Sequence, residues 1–215
     1  DFGRMVKKGN FVSDKLPTIL GNATTDLEKA TAIFNHVQQS VKWNENYGIY
    51  AKNVPRKVYE DRTGSVAEIN LMLVAILKEA GLNADPVILS TRSHGMVMET
   101  NPMLAKFNYV IGMVQIDTSK FLLDATSRNV SFNTLPERCL NGDGRIISKN
   151  NAGWAKLLNK EIRNEYTNAS FTLSEDGSYT GTFSCSSGGL SANDRRSSFR
   201  NKDQKDFIKE FNANH

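Results

Sequence analysis

The segment Gly64-Ser65-Val66 lies at the start of the most apolar helix that the sequence predicts, Val66–Ala80. The start of a helix is a place where a catalytic nucleophile can be activated. Free backbone N–H groups and the helix dipole stabilise an anion there, so a thiolate at the start of a helix is an activated nucleophile. Valine has no such chemistry. Ser65 has a hydroxyl, but Ser65-Val66-Ala67-Glu68 is a capping-box pattern. We therefore expect the Ser65 hydroxyl to accept the backbone N–H of Glu68 rather than to attack a substrate.

Tyr109 and Asp124 form a second pair of polar residues that the predicted elements bring together. Phe107–Ile116 and Phe121–Ala125 are apolar runs on either side of Asp117-Thr118-Ser119-Lys120, a pattern typical of a β-hairpin. The tyrosine and the carboxylate then lie on neighbouring strands, and a buried tyrosine hydroxyl needs a hydrogen-bond partner. We expect a structural Tyr109–Asp124 pair, in which Asp124 either caps or pins the hairpin or contributes to binding a ligand.

Together these segments resemble the transglutaminase-like, papain-fold superfamily. The resemblance is carried by Gly64-x-Val66, Phe107-Asn108-Tyr109-Val110-Ile111 and Leu123-Asp124-Ala125-Thr126. In that family the three segments hold a cysteine at a helix N-terminus, a histidine at the start of a strand and an aspartate in the next strand. Carried over by position, the resemblance places Val66, Tyr109 and Asp124 at the triad. Only the aspartate matches, so the resemblance implies a vestigial catalytic site.

The resemblance extends beyond the triad segments. Glu79–Arg92 is similar to the stretch that follows the nucleophile helix in bacterial members, and Leu135–Asn141 resembles the start of a β-rich domain that follows such cores in Bacteroidetes envelope proteins. The resemblance implies an α+β fold, with a papain- or transglutaminase-like core of N-terminal helices on an antiparallel sheet in residues 1–130. A truncated C-terminal extension, a small β-hairpin and a helix, would occupy residues 131–215. It also implies a periplasmic or cell-envelope location.

The remaining elements follow from hydrophobic periodicity and turn residues. A capping box at Thr25–Glu28 begins an amphipathic helix that extends to about Lys42, and Gly81 ends the Val66–Ala80 helix. Further along, the pattern predicts a strand at Pro86–Thr91, a Met-rich loop at Arg92–Lys106, a hairpin of Ala169–Leu173 and Ser178–Cys185, and a polar helix at about Asp194–Phe211 that buries at most Phe199, Phe207, Ile208 and Phe211.

Composition and charge pattern point neither to a nucleic-acid partner nor to a membrane span. The net charge of +4 comes from 27 basic and 23 acidic residues that are mixed along the chain, so a nucleic-acid partner is not implied. The longest apolar run, Leu71–Leu77, is far shorter than the roughly 20 residues of a membrane span. Asp1-Phe2-Gly3-Arg4 has no initiator methionine and no signal-peptide core, so we expect a piece processed or cut from a longer protein.

Other residues with chemical potential each have a simpler interpretation. Trp43 and Tyr47 either belong to the core or line a groove, and His94 in the Met-rich loop is a weak replacement for the missing imidazole because a mobile base lacks support. No metal-binding spacing and no cofactor motif is present, and His36 is expected to be solvated. Cys139 and Cys185 are either two free thiols or one disulfide.

Three classes of function remain. The loss of cysteine and histidine favours a catalytically degenerate domain that binds or scaffolds a peptide, a glycan or a partner protein. An active peptidase or acyltransferase would need Ser65 or His94 in a rearranged site. The third class is a purely structural connector between β-domains of an envelope protein. The binding candidates are Trp43, Tyr47, Ser65, Tyr109 and Asp124.

Overall fold

The computed structural model describes residues 2–159, 163–201 and 203–213, which belong to two compact units. The first unit comprises residues 1–159 and the second residues 160–215. Helices and a five-stranded sheet form the first unit, whereas a long hairpin and two helices form the second.

The helices of the first unit all lie in its N-terminal half, before the main sheet begins. They are α1 (Phe2–Met5), α2 (Leu16–Leu20), α3 (Asp26–Ser40), α4 (Pro55–Asp61) and α5 (Val66–Glu79). Short 3-10 turns lie at Asn10–Lys15, Arg92–His94, Leu104–Lys106 and Glu137–Cys139. Most of the helical mass therefore precedes the strands that it covers, as in an α+β fold.

The strands of the first unit form one large antiparallel sheet and one small parallel pair. The parallel pair is β1 (Lys42–Trp43) with β2 (Thr63–Gly64), and the large sheet consists of β3 (Asn83–Leu89), β4 (Tyr109–Ile116), β5 (Ser119–Leu123), β6 (Asp143–Ile146) and β7 (Gly153–Lys156). Their order across the sheet is β5-β4-β3-β6-β7, and every neighbouring pair is antiparallel. The predicted α+β class and the predicted β4–β5 hairpin are confirmed.

Residues 131–159, which sequence reasoning assigned to the C-terminal extension, lie in the first compact unit. The reason is pairing: β6 hydrogen-bonds to the central strand β3, and β7 extends the sheet from there. The amide of Asn159 then closes the unit, since it donates to the carbonyl of Leu135 at 2.8 Å and accepts the N–H of Leu135 at 2.7 Å.

Helix α5 is the centre of the core. Every residue from Val66 to Leu77 is buried, and the helix packs on β3 and β4 and against α3. Gly112 in β4 lies against the helix, since a Cβ there would be in van der Waals contact with Leu73 and Val74. The continuous apolar run thus has apolar neighbours on all sides. None of the helices in the described residues has the length and apolar character needed to cross a membrane.

The ends of α5 are fixed by the residues that the sequence predicted. Ser65 accepts the N–H of Glu68, and the Glu68 carboxylate accepts the N–H of Ser65 at 2.8 Å, which completes the capping box. At the other end Gly81 has a φ of +82°, and the N–H of Leu82 reaches back to the carbonyl of Leu77 at 3.0 Å. This is a Schellman motif. The matching box at Thr25 and Glu28 begins α3.

The second unit contains β8 (Asn164–Leu173), β9 (Tyr179–Gly188), α6 (Gly189–Asn201) and α7 (Gln204–Ala213). β8 and β9 form the predicted hairpin, which is longer than expected at the end away from its turn. The single predicted helix is two helices. Phe199 and Ile208 are exposed rather than buried, and the side chains of Phe207 and Phe211 lie outside the described residues.

We predict that Ser65→Ala lowers the free energy of unfolding by about 1 kcal/mol, because it removes the helix cap and leaves the N–H of Glu68 unpaired. Ser65→Asp is the matched control, since an aspartate caps a helix about as well as a serine. Thermal and urea melts of the three proteins measure the difference. Labelling of wild-type Ser65 by a fluorophosphonate probe would contradict the structural role.

Candidate functional site

Asp124 is a fully buried carboxylate at the end of β5, and Tyr109 is the first residue of the neighbouring strand β4. The antiparallel register brings the two side chains together, and the tyrosine hydroxyl donates to Asp124 Oδ2 at 2.8 Å. Tyr109 is itself fully buried. The predicted Tyr109–Asp124 pair is confirmed.

Asn70 connects the central helix to this pair. Its amide Nδ2 donates to Asp124 Oδ1 at 3.0 Å and to the carbonyl of Val110 at 2.9 Å, while its Oδ1 accepts the N–H of Ala125 at 3.0 Å. Val66 lies one turn earlier on the same face of α5. Its side chain is buried, and its N–H donates to the carbonyl of Asn46. The structure thus brings the helix start and the Tyr109–Asp124 pair to one side of the sheet.

Arg138 enters the site from the 3-10 turn at Glu137–Cys139. Its Nε donates to the hydroxyl of Tyr109 at 2.9 Å, and its Nη2 reaches Asp124 Oδ2 at 3.3 Å and Thr126 Oγ1 at 2.8 Å. The guanidinium also lies over the Trp43 ring, 4.8 Å from its centroid. Only 26% of the Arg138 side chain is exposed, so this ion pair is largely shielded from water.

The hydrogen-bond capacity of Asp124 is fully used. Thr126 donates both its N–H and its hydroxyl to Oδ1, at 3.0 and 2.8 Å, in addition to the Asn70 amide. Oδ2 accepts from Tyr109 and Arg138. An ionised carboxylate has about four lone-pair sites, so these five donors leave none to orient an imidazole.

Cys139 is a further member of the cluster, with its Sγ 3.8 Å from Asp124 Oδ2. Burial first, and then the negative charge of Asp124, raise the pKa of the Cys139 thiol well above its usual value. The same two causes raise the pKa of Tyr109. Both groups therefore stay protonated at neutral pH, and neither supplies a nucleophile. Both Cys139 and Cys185 are free thiols.

An aromatic ladder leads from the buried cluster to the surface. The ring centroids of Tyr109 and Tyr47 are 5.7 Å apart, and those of Tyr47 and Trp43 are 5.4 Å apart. Tyr47 is 49% exposed. The loop is held in place because Trp43 pairs with Gly64 of β2 and the N–H of Gly48 donates to the carbonyl of Asn108. Trp43 and Tyr47 thus form a continuous aromatic contact between buried Tyr109 and the protein surface.

The other candidates from the sequence, Ser65, His94 and His36, do not contribute hydrogen bonds to Asp124. The Ser65 hydroxyl is bound to its own helix, as described above. His94 ends an exposed 3-10 turn and is not among the donors to Asp124. His36, which was expected to be solvated, is partly buried, and its Nε2 lies 3.0 Å from the hydroxyl of Tyr59.

Sequence reasoning missed four members of the cluster as site residues. Asn70 had a usable signal, since it is an amide within an apolar helical run and a buried amide needs partners. Arg138 and Cys139 had none, because the chain between β5 and β6 is irregular and no periodicity predicts its path. Thr126 was part of a motif segment but was given no role.

Residues 14–120 match the model of the transglutaminase-like superfamily. This part of the chain therefore belongs to the transglutaminase-like superfamily, the family that the motif segments resemble. A comparison with curated proteins found no match.

Solved structures are similar in fold. One, from Parabacteroides distasonis ATCC 8503 and proposed to be a protease, has a TM-score of 0.50 and 13% identity over 73% of this chain and 30% of its own. Another, from Cytophaga hutchinsonii and proposed to be a cysteine protease, has a TM-score of 0.44 and 11% identity over 85% of this chain and 53% of its own. The chain thus spans less than a third of the first protein and about half of the second.

We predict that Arg138→Gln lowers the free energy of unfolding by about 3 kcal/mol, because it leaves a buried carboxylate without its cation. Arg92→Gln is the matched control: Arg92 pairs with Glu137 at 2.8 Å, but both side chains are about half exposed. Its loss should cost less than about 1 kcal/mol. Urea melts at neutral pH compare the two variants. Equal losses of unfolding free energy in the two variants would show that Arg138 does not balance the buried charge of Asp124.

Proposed function

We propose that this domain is catalytically degenerate and acts by binding. The observation that carries the proposal is the saturated carboxylate of Asp124, whose acceptor sites are occupied by Asn70, Tyr109, Thr126 and Arg138. In a cysteine triad the carboxylate holds the ring of the base. Here the same position supports a cation and a tyrosine instead, so the geometry favours a structural role for it.

The nucleophile position supports the same conclusion. The resemblance places Val66 there, and valine cannot form a thiolate or alkoxide. The neighbouring Ser65 hydroxyl is used as a cap, and the buried Cys139 thiol is kept protonated. Loss of a triad nucleophile or base reduces the rate by roughly four to six decades. A rearranged peptidase or acyltransferase that uses Ser65 or His94 is therefore the weaker alternative.

The aromatic loop is the proposed contact surface. Trp43 and Tyr47 stand beside the vestigial site, and Tyr47 has about half of its side chain available to a ligand. Aromatic rings supply large contact areas at low cost in conformational entropy. A peptide, a glycan or a partner protein suits such a surface. The purely structural connector differs from this proposal because it requires no ligand at Tyr47.

A cell-envelope or periplasmic location is part of the proposal. It rests on the resemblance of Leu135–Asn141 to envelope proteins, and the similar solved structures come from Parabacteroides and Cytophaga. Fractionation of the source cells, with an antibody raised against this domain, tests the location. Recovery in the cytoplasmic fraction would overturn it.

We predict that the wild-type chain turns over neither peptide nor amine-acceptor substrates, and that rebuilding the site takes at least two changes. Val66→Cys supplies a thiol, whose pKa is about 8.5 in an unperturbed cysteine. Adding Tyr109→His introduces a base, which should lower the apparent thiol pKa. Iodoacetamide reactivity against pH compares the single and double variants in a Cys139→Ser/Cys185→Ser background.

Identical pH profiles in the single and double variants would mean that positions 66 and 109 do not meet, and the transfer of the family site would fail. Wild-type turnover that disappears in Cys139→Ala would contradict degeneracy directly. A melt of each variant confirms that it is folded before its reactivity is interpreted.

We further predict that a ligand at the aromatic loop quenches the fluorescence of Trp43. A casein hydrolysate serves as the peptide probe and a mixture of neutral oligosaccharides as the glycan probe. Trp43→Phe should abolish the signal and Tyr47→Ala should weaken binding about tenfold, as loss of an aromatic anchor often does. Trp154→Phe, which removes the other tryptophan, is the control. A signal that survives Tyr47→Ala unchanged would rule out this surface for that ligand.

A further inference from the structure

A polar cavity of about 460 Å³ lies in the first unit, among side chains of the Asn10–Lys15 turn, α3 and α4. None of the residues of the vestigial site lines it. Its walls are Lys15, His36, Gln39, Ser40, Tyr59, Glu60 and Arg62. Cavities of this size are typical of small-molecule sites, which use a few convergent polar groups to fix a ligand.

We propose that this cavity binds a small molecule that carries a tetrahedral oxyanion, a phosphate or sulfate monoester of about the size of a sugar. The cavity presents two cationic side chains, Lys15 and Arg62, against one carboxylate, Glu60. Within the described part of the chain, neither cation makes an ion pair. The nearby Lys57, in contrast, pairs with Asp61 at 2.8 Å.

Aromatic contacts define the wall on which Lys15 rests. Lys15 Nζ lies over the Tyr59 ring, 4.8 Å from its centroid, so the ammonium group stays beside the cavity. The ring of Tyr59 is in turn supported by Phe11, at a centroid distance of 5.4 Å. The Lys15 ammonium group therefore packs on an aromatic ring and has no carboxylate partner there. It is available to bind the anionic group of a ligand.

Neutral donors complete the recognition surface. His36 Nε2 lies 3.0 Å from the Tyr59 hydroxyl and 3.4 Å from Ser40 Oγ. Hydroxyl groups and a histidine beside Lys and Arg are the donor set that a phosphate group uses. A ligand with a carboxylate would use fewer of these donors than a phosphate or sulfate group. A neutral sugar would leave the charges of Lys15 and Arg62 without a counter-charge.

Arg62 occupies a backbone position that does not favour a large side chain. It ends α4 with a φ of +53°, in the left-handed region where glycine or asparagine costs less. Such positions concentrate at functional sites, where the strain is retained because the side chain has a use. A guanidinium that lines the cavity gives Arg62 that use.

Binding should strengthen as the pH falls below neutrality. Burial, and second the charge of Lys15, hold the pKa of His36 below its usual value of 6.5. The charged or titratable groups that face His36 across the cavity are Lys15, Tyr59, Glu60 and Arg62. A bound anion, with two charges on the phosphate monoester or one on the sulfate monoester, favours the imidazolium, so the His36 pKa must rise on binding, and by linkage the protonated form binds more tightly.

The test uses the full chain and glucose 6-phosphate, with glucose 6-sulfate, inorganic phosphate, acetate and glucose as comparison probes. Proton NMR of the His36 ring follows its pKa, and calorimetry measures affinity at pH 6 and pH 8. We expect a saturable rise in the His36 pKa with the two esters, weaker binding of inorganic phosphate and acetate, and none of glucose. Lys15→Gln and Arg62→Gln should each weaken ester binding by about tenfold.

Lys57→Gln is the matched control, because it removes an exposed charge of α4 that does not line the cavity. Tyr47→Ala should also leave ester binding unchanged, which separates this site from the proposed aromatic surface. The proposal is overturned if Lys57→Gln weakens binding as much as Lys15→Gln, if acetate binds as tightly as the esters, or if the His36 pKa does not respond to saturating ester. A melt confirms that each variant is folded.

Discussion

The buried carboxylate of Asp124 is the constraint around which the first unit is organised. An isolated ionised group in the interior would cost many kcal/mol, so it must be surrounded by donors and a cation. Those partners come from elements far apart in sequence: Asn70 from the central helix, Tyr109 from the neighbouring strand, and Arg138 from an irregular segment. Satisfying one side chain therefore fixes the relative position of a helix, a hairpin and a loop.

We propose that this arrangement lets the catalytic scaffold persist without its chemistry. The fold still brings the start of α5, the first residue of β4 and the end of β5 to one side of the sheet. The Asp124 carboxylate accepts from Arg138, whose guanidinium also lies over Trp43. Under this proposal the carboxylate is retained because the fold depends on its contacts with Asn70, Tyr109 and Arg138.

Local signals made much of the fold predictable from sequence. The capping boxes at Thr25 and Ser65, the glycine after α5 and the hairpin around Asp117 each depend on a few neighbouring residues, and all were identified. The extent of the sheet was not, because β6 and β7 are short and β6 returns to β3 only after a long irregular segment. For the same reason the Tyr109–Asp124 pair was predictable, but the approach of Arg138 was not: nothing in a local pattern specifies where an arginine fourteen residues away returns.

Asn70 also has a consequence for how the chain folds. Its single amide group bridges the carbonyl of Val110 in β4 and the N–H of Ala125, two residues beyond the end of β5. If the hairpin docked on α5 with its register displaced by one residue, this amide and the carboxylate of Asp124 would be buried without partners. The penalty for an unpaired buried amide alone is about 1–3 kcal/mol. Asn70 thus raises the free energy of compact states in which the hairpin is misaligned on α5. An entirely apolar helix would not penalise those states in this way.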